Sequence, residues 1–242
     1  MNFAVIFAGG VGKRMNSKEK PKQFLEMHGK PIIIHTLEKF EKHPEIDGIV
    51  IVCISTWIAC MHELINNFNI KKVRQIVPGG TTSQLSIFEG LKAVEKIVGD
   101  NAAIVLIHDG VRPLIDAELI SKNIESVKLH GSAITTMSVT ETIMEVEKDG
   151  LIIHIPKRDN SRLAKAPQSF WLKEIIHIHR MALEEGITDY IDSCTMMQHY
   201  GNRLYLVDGP RDNIKVTTPE DFYIMRALLD AKENSQIYGN EE

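Results

Sequence analysis

The segment Phe3-Ala4-Val5-Ile6-Phe7-Ala8 runs directly into Gly9-Gly10-Val11-Gly12-Lys13-Arg14, and this junction decides the fold. A short run of apolar residues predicts a buried strand. The glycines that follow allow backbone N–H groups to approach a phosphate closely, because no Cβ stands in the way. Lys13, Arg14 and, further on, Lys22 place cations beside the loop, which favours a polyphosphate ligand over a simple turn. We therefore interpret the junction as a nucleotide triphosphate site.

The glycine loop matches neither of two common phosphate-binding motifs. It lacks the last glycine of the GxGxxG dinucleotide fingerprint, and it lacks the GxxxxGK[ST] spacing of a P-loop. The loop is long, since it continues to Pro21, and that length suits a ligand with a base and a ribose as well as phosphates. The alternative is a flexible turn with solvated charges.

Apolar and amphipathic segments alternate along the rest of the chain. Predicted strands cover residues 48–54, 72–77, 102–107, 133–139 and 203–207, and predicted helices cover residues 31–40, 57–68, 83–98, 116–129, 172–185 and 219–232. Most of the strands are apolar throughout rather than alternating, which is typical of strands that are covered on both faces. The pattern predicts an α/β fold with a doubly wound, mostly parallel, Rossmann-like sheet.

Three unusual loops follow predicted strands, at Gly9–Arg14, at Gly79-Gly80 and at His108–Pro113. In open parallel sheets, ligands bind beyond the carboxyl ends of the strands. We therefore expect these loops to meet at one edge of the sheet and to form the ligand site.

The pattern changes between residues 140 and 167. Residues 142–146 and 151–155 are largely apolar and flank Lys148-Asp149-Gly150, which indicates a β-hairpin. A hairpin inserted into an α/β domain has little core of its own, so we expect a protruding arm that makes a homodimer contact. The arm belongs to a single predicted domain over residues 1–233, followed by a flexible polar tail at 234–242.

Composition and charge exclude several classes of function. The formal net charge of −4 disfavours nucleic-acid binding, which needs a basic surface. The three cysteines have no CxxC spacing, which indicates buried reduced thiols rather than a redox or metal site. No stretch has the roughly 18 apolar residues of a membrane span, and no signal peptide precedes the first strand. We expect a cytoplasmic protein with no membrane partner.

Several blocks of the sequence together resemble a known family. Ala8-Gly9-Gly10-x-Gly12-x-Arg14-Met15 with Pro21-Lys22-Gln23 is similar to nucleotidyltransferases that activate sugar phosphates. Later blocks narrow the resemblance: His108-Asp109-x-x-Arg112-Pro113, Ala166-Pro167-Gln168, Asp212-Asn213-Ile214-Lys215-Val216-Thr217 and Pro219-Glu220-Asp221. In this order, from Phe3 to Asp221, they resemble the cytidylyltransferases that act on 2-C-methyl-D-erythritol 4-phosphate or ribitol 5-phosphate.

The resemblance implies attack by a polyol phosphate on the α-phosphorus of CTP, with release of pyrophosphate. Such a transfer depends on positioning and charge neutralisation. The resemblance assigns the catalytic cations to Arg14, Lys22 and Lys215. It assigns nucleotide binding to Ala8, Gly9, Gly10, Gly12, Lys13, Gly79, Gly80 and Ser86.

The resemblance also implies an acceptor site made of Asp109, Arg112, Thr142 and Arg158, the last reaching in from the neighbouring subunit of a dimer. It implies Mg²⁺ as a cofactor, with Asp109 and Asp212 as the candidate ligands. Two simpler alternatives are a solvated hairpin charge at Arg158 and a helix cap at Asp109. His108 is expected to make structural hydrogen bonds, because an ionised phosphate nucleophile needs no base.

The sequence departs from the family pattern between Gly80 and Ser86, where an arginine is common and Thr81-Thr82-Ser83-Gln84-Leu85 stands instead. Ala8-Gly9-Gly10 and the His108–Pro113 block are closer to the ribitol-phosphate branch, whereas Arg211–Lys215 is closer to the erythritol-phosphate branch. The acceptor predicted here is therefore ribitol 5-phosphate or a related pentitol or pentulose phosphate, with methylerythritol phosphate as the alternative. Transfer from GTP or UTP and a nucleotide-binding module without turnover are two further alternatives.

Overall fold

The computed structural model describes residues 1–10 and 20–238, with no side-chain description beyond residue 234. The strands are β1 (Asn2–Ala8), β2 (Glu26–Met27), β3 (Lys30–Pro31), β4 (Gly48–Cys53), β5 (Val73–Pro78), β6 (Ile104–Asp109), β7 (Ser132–Ser138), β8 (Glu145–Val146), β9 (Ile152–His154), β10 (Arg162–Trp171) and β11 (Leu206–Asp208). The helices are α1 (Ile32–Lys42), α2 (Ile58–Asn67), α3 (Ser83–Val98), α4 (Ala117–His130), α5 (Leu172–Glu184), α6 (Ser193–His199) and α7 (Pro219–Tyr238).

A seven-stranded sheet in the order β11-β7-β10-β6-β1-β4-β5 forms the centre of the fold. β1 pairs in parallel with β4 and β6, β4 pairs in parallel with β5, and β7 pairs in parallel with β11. β10 lies between β6 and β7 and is antiparallel to both. The mostly parallel, doubly wound sheet predicted from the sequence is confirmed. The carboxyl ends of β1, β5 and β6 share one edge, where the three glycine-containing loops begin.

The strand β10 is an element of the central sheet that the sequence did not predict. The predicted arm extended to residue 167, yet β10 begins at Arg162 and forms ladders with both neighbours. Its pairing with β7 shifts register between Ala164 and Gln168, which accommodates Pro167 inside the sheet. Proline cannot donate a ladder hydrogen bond, so Pro167 argued against a central strand on the sequence alone.

The sheet is covered on both faces by helices, as its apolar strands predict. One face packs against α1, α2 and α4 through residues such as Phe40, Met61 and Ile124. The other packs against α3, α5 and α6, with Leu91 and Ile175 fully buried. Helix α3 and the sheet approach closely at Gly90, where a Cβ would lie 2.5 Å from Val5 Cγ1 and 2.8 Å from Val52 Cγ2.

The helix ends agree with the capping chemistry of the sequence. The side chains of Thr82 and Asp116 accept hydrogen bonds from the backbone N–H of Leu85 and Leu119, which fixes the starts of α3 and α4. Asp116, rather than Asp109, is the cap of α4. The last helix α7 ends at Tyr238, beyond the predicted end at residue 232, so the first part of the predicted tail is helical.

The last helix α7 packs against the segment that follows the glycine loop and against the loop after β6. Met225 is fully buried in a small cluster with Met27, Val111 and Val216. Ion pairs add to this contact: Lys232 Nζ lies 2.6 Å from Asp212 Oδ2, and His28 Nε2 lies 3.0 Å from Asp230 Oδ1. Within the described chain, no helix is both long and apolar enough to cross a membrane.

The predicted hairpin forms, and it is short. β8 and β9 pair in antiparallel over a few residues, and Gly150 in the connecting turn has φ +93°. Its apolar side chains are largely exposed in the single chain, at 57% for Val146, 55% for Ile153 and 53% for Ile155. We refer to residues 140–161, which precede β10, as the arm.

Candidate active site

A cleft of about 250 Å³ lies at the carboxyl edge of the sheet. Its walls come from the ends of β1 and β6, the first turn of α3, the middle of β10, the start of α6, and Lys215. The edge predicted from the three loops is therefore the edge at which the chain forms a cleft.

Asp109 lies at the centre of the charged side of the cleft. Its Oδ1 is 2.6 Å from Lys215 Nζ, and its Oδ2 accepts a hydrogen bond of 3.1 Å from Arg112 Nε. Burial raises the pKa of the Asp109 carboxyl, but Lys215 and Arg112 outweigh burial and hold this pKa at about 2. Asp109 is therefore ionised at neutral pH, and Lys215 meets the Asp109–Arg112 pair from a distant segment of the chain.

Backbone and buried groups hold the Asp109 cluster in place. Arg112 Nη1 donates to the Asn213 carbonyl at 2.8 Å, and the Val216 N–H donates to the Val111 carbonyl at 2.9 Å. These bonds join the loop after β6 to the segment that carries Lys215.

His108 supports the same loop as a structural residue. Its Nε2 lies 3.0 Å from the Arg112 carbonyl, and burial lowers its pKa to about 4. The neutral ring must donate from Nε2, because a carbonyl oxygen only accepts.

Small residues for which the sequence predicted nucleotide binding lie around the start of α3, beside the cleft. A Cβ at Gly79 would lie 3.0 Å from Ser86 Oγ, and one at Gly9 would lie 3.6 Å from the same oxygen. Ser86 Oγ donates to the Thr82 carbonyl at 2.8 Å, so Ser86 organises this corner. The start of α3 also carries the positive end of the helix dipole, which suits a phosphate.

Lys22 is placed next to the end of β1 by the residue that follows it. Gln23 is buried, and its Nε2 donates to the Ala8 carbonyl at 2.7 Å. Lys22 begins a single 3-10 turn and is half-buried. The predicted residues Gly12, Lys13 and Arg14 lie outside the described residues.

Thr142 and Arg158 do not line the cleft within a single chain. Both lie on the arm and are exposed, and Arg158 Nη1 is 3.5 Å from the Thr140 carbonyl. The chain itself therefore brings together Asp109, Arg112 and Lys215 but not the two predicted arm residues.

The predicted magnesium ligands do not form a metal site in the described chain. Both oxygens of Asp109 already contact cations, and a divalent ion placed on this carboxylate would face Lys215 and Arg112 at contact distance. Asp212 is paired with Lys232 and does not line the cleft. These contacts do not fit a protein-held Mg²⁺.

The structure adds cleft residues to which the sequence assigned no role. Lys165 and Gln168 come from the unpredicted strand β10, and Asp192 caps α6. Gln168 Nε2 donates to Asp192 Oδ2 at 3.1 Å, so β10 and α6 are tied at the floor of the cleft. Ala166-Pro167-Gln168 stood out only as a block of the resemblance, and nothing in the sequence marked Lys165. Ser83, within the segment that lacks the expected arginine, also lines the cleft.

The site has backbone N–H groups on one side and cations around an ionised carboxylate on the other. This arrangement suits phosphoryl transfer between anions, which is the chemistry of nucleotidyltransferases. Comparison with known proteins agrees. The chain belongs to the 2-C-methyl-D-erythritol 4-phosphate cytidylyltransferase family, whose family model matches residues 2–231.

Individual relatives span the whole chain. A ribitol-5-phosphate cytidylyltransferase of Streptococcus agalactiae is 54% identical over 99% of this chain and 100% of its own. A 2-C-methyl-D-erythritol 4-phosphate cytidylyltransferase of Clostridium acetobutylicum is 39% identical over 97% of this chain and 99% of its own. The crystal structure of a 4-diphosphocytidyl-2C-methyl-D-erythritol synthase from Anaerococcus prevotii superposes with a TM-score of 0.82 at 28% identity, over 95% of this chain and 96% of that one.

Proposed function

We propose that this protein transfers CMP from CTP to ribitol 5-phosphate and yields CDP-ribitol and pyrophosphate. The observation that carries the proposal is the 54% identity over nearly the whole chain to a protein named for this reaction. The relative named for methylerythritol phosphate is 39% identical. The cluster at Asp109 supports a reaction between anions in which cations neutralise charge.

In this mechanism a phosphate oxygen of the acceptor forms a bond to the α-phosphorus of CTP. The bond from that phosphorus to the bridging oxygen breaks, and pyrophosphate leaves with the electron pair. No proton must be removed, so the site needs cations rather than a general base. Lys215, held by Asp109, and Lys22, held beside β1 by Gln23, neutralise charge at the transferred phosphate. Asp109 and Arg112 also bind the polyol.

The acceptor and the nucleotide are tested in one assay of pyrophosphate release. Purified protein is incubated with CTP and, in separate reactions, with ribitol 5-phosphate, ribulose 5-phosphate or methylerythritol 4-phosphate. We expect the highest kcat/KM with ribitol 5-phosphate and little release when ATP, GTP or UTP replaces CTP. A higher kcat/KM with methylerythritol phosphate would instead support the second candidate, which the Arg211–Lys215 block favours. CTP binding without release from any acceptor would favour a binding module.

A divalent cation remains part of the proposal as a partner of the substrate. The triphosphate of CTP is a better ligand for Mg²⁺ than the cation-paired Asp109, because its oxygens carry uncompensated charge. We expect EDTA to stop turnover and added Mg²⁺ to restore it. Unchanged turnover in EDTA would show that the cations of the protein suffice.

We further propose a homodimer in which the arm of one protomer lies against the other. Exposed apolar side chains at Val146, Ile153 and Ile155 form a surface that a partner would bury, and Thr142 and Arg158 lie on the same arm. A dimer would bring these two residues to an acceptor site that a single chain leaves without them. Sedimentation equilibrium at assay concentration measures the oligomeric state directly.

A further inference from the structure

Lys165 lies on the wall of the cleft that β10 contributes. Gln168 pairs with Ile107 in the antiparallel ladder with β6, so Lys165 lies just beyond Asp109, the last residue of β6. The register shift between Ala164 and Gln168 interrupts strict alternation, and consecutive residues of β10 line the cleft as a result. Lys165 is half-buried in this position.

The ammonium of Lys165 is the cation of this wall that no carboxylate neutralises. Its Nζ donates to the backbone carbonyls of Pro210 at 3.3 Å and Arg211 at 3.1 Å. Among residues 1–10 and 20–238, none of the salt bridges includes Lys165. Burial and the nearby Arg112 lower its pKa, and Asp212 raises it.

Charge on the acceptor side of the cleft favours an anionic ligand group at Lys165. Asp109 offsets one of the two cations that it contacts, so Asp109, Arg112 and Lys215 together carry one net positive charge. Lys165 adds a second, and Asp192, the other carboxylate in the described lining of the cleft, leaves that lining with one net positive charge. A lysine ammonium has three N–H donors, and two are used on carbonyls, so one remains for a ligand.

The position of β10 in the sheet separates Lys165 from the nucleotide loops. β6 stands between β10 and β1, and the Gly9 and Gly79 loops follow β1 and β5 on the far side. The nucleotide is therefore held on one side of β6, and Lys165 faces the cleft from the other side.

We propose that Lys165 binds the phosphate group of the acceptor and thereby selects phosphorylated polyols. This inference rests on the proposed function, because it takes its ligand from that reaction. The hydrogen bond from Lys165 neutralises charge on the attacking phosphate of the acceptor, while the cations at Lys215 and Lys22 face the phosphate that is transferred. It also links acceptor binding to the Pro210–Arg211 turn, which leads to Lys215.

The test is a comparison of Lys165→Met with wild type in both kinetics and binding. Loss of one charge-assisted hydrogen bond is expected to raise the KM for ribitol 5-phosphate by about tenfold to a hundredfold. The KM for CTP should change by less than about twofold, because a contact made only to the acceptor affects only the binding of the acceptor. Isothermal titration with ribitol 5-phosphate alone should show the same weakening, and inorganic phosphate should inhibit Lys165→Met less than wild type.

Two further variants separate a phosphate contact from a structural role. Lys165→Arg keeps the charge and should retain most of the acceptor affinity. Lys173→Met is the matched control, because Lys173 Nζ also donates to a carbonyl, that of Asp100 at 3.4 Å, but the side chain is exposed on α5 outside the cleft. It should behave as wild type.

Each negative outcome has a distinct meaning. If wild type binds ribitol 5-phosphate and Lys165→Met binds it equally well, the inference is wrong and the proposed function stands. An equal rise in both KM values with a lower melting temperature would show that Lys165 only fixes the Pro210–Arg211 turn. Wild type that neither binds nor converts ribitol 5-phosphate overturns both proposals.

Discussion

One carboxylate, that of Asp109, positions two cations of the candidate active site. Asp109 contacts two cations, and its low pKa of about 2 is their combined effect against burial. The folded-state pKa is depressed, so the stability that this group contributes is present above its unfolded value near 3.8 and is lost as pH falls toward 2. Its charge is therefore constant over the pH range in which an enzyme assay is run.

Lys215→Ala is predicted to lower kcat by about a hundredfold to a thousandfold, the usual cost of removing a group that stabilises transition-state charge. The change also removes one of the two cations at Asp109, so we expect the pKa of Asp109 to rise, which carboxyl-carbon NMR measures. Lys122→Ala is a suitable control, because Lys122 forms an exposed pair with Glu118 on α4. A kcat equal to that of wild type would remove Lys215 from the catalytic residues.

A second residue-scale prediction concerns His179, which is buried beside Phe88 and, among the residues that the structure describes, has no hydrogen-bond partner at either ring nitrogen. Burial lowers its pKa from 6.5 to about 4. Between these values the unfolded chain binds a proton that the folded chain does not, so stability falls as pH decreases. The shift corresponds to about 3 kcal/mol at the acid end.

His179→Leu should therefore raise the free energy of unfolding at pH 7 and reduce its loss between pH 6.5 and 4. The reduction should be partial, because buried His108 has a similarly lowered pKa, burial also lowers the pKa of His35, and both residues remain. Urea denaturation at several pH values measures both effects. His177→Leu on the exposed face of α5 is the control. An unchanged pH dependence would mean that His179 has a polar partner in solution.

At the scale of elements, α3 depends on a glycine inside a helix. Alanine is normally the better helix former, but a Cβ at Gly90 would lie 2.5 Å from Val5 Cγ1. We predict that Gly90→Ala lowers the free energy of unfolding by about 1–3 kcal/mol, the usual cost of overpacking. Val5→Ala in the same chain should recover part of the loss, which a double-mutant cycle measures. A stabilised Gly90→Ala would show that α3 moves away from the sheet at little cost.

The elements that could be predicted from the sequence are those with a clear local pattern. β1, β4 and β6 are apolar runs, and Thr82 and Asp116 mark helix starts by cap chemistry that needs no tertiary information. β10 could not be predicted in this way, because Pro167 is tolerated only through a register shift set by β7. The role of Lys165 follows from the same strand, so it depends on a partner that local sequence does not reveal.

At the scale of the whole molecule, the location of the cleft could be predicted because it follows from topology alone. Parallel strands place all their carboxyl ends at one edge, so loops at Gly9, Gly79 and His108 had to meet. The positions of Thr142 and Arg158 relative to the cleft could not be predicted, since a protruding hairpin makes few contacts with its own chain. In the proposed dimer, their placement depends on a second copy.

A variant of the arm tests the proposed dimer. Ile153→Glu places a charge among exposed apolar side chains, which costs nothing in a free chain and opposes burial against a partner. We predict a monomer in sedimentation, an unchanged melting profile of the domain core, and reduced turnover because Arg158 is lost from the neighbouring site. Leu129→Glu is the control, because Leu129 is 68% exposed on α4. A dimeric Ile153→Glu with normal turnover would place the interface elsewhere.

The reversed direction of β10 has a mechanical consequence. A parallel strand would have its carboxyl end at the edge of the sheet that holds the cleft. Because β10 is antiparallel, its amino end lies there instead. Lys165 follows Arg162 by only about 10 Å of extended chain. The strand β10 thus connects the arm directly to the wall of the cleft. A displacement of the arm would therefore reach the β10 wall of the cleft first, because β6 lies between β10 and the strands that carry the Gly9 and Gly79 loops. Destabilising the arm should therefore reduce discrimination between acceptors before it weakens nucleotide binding.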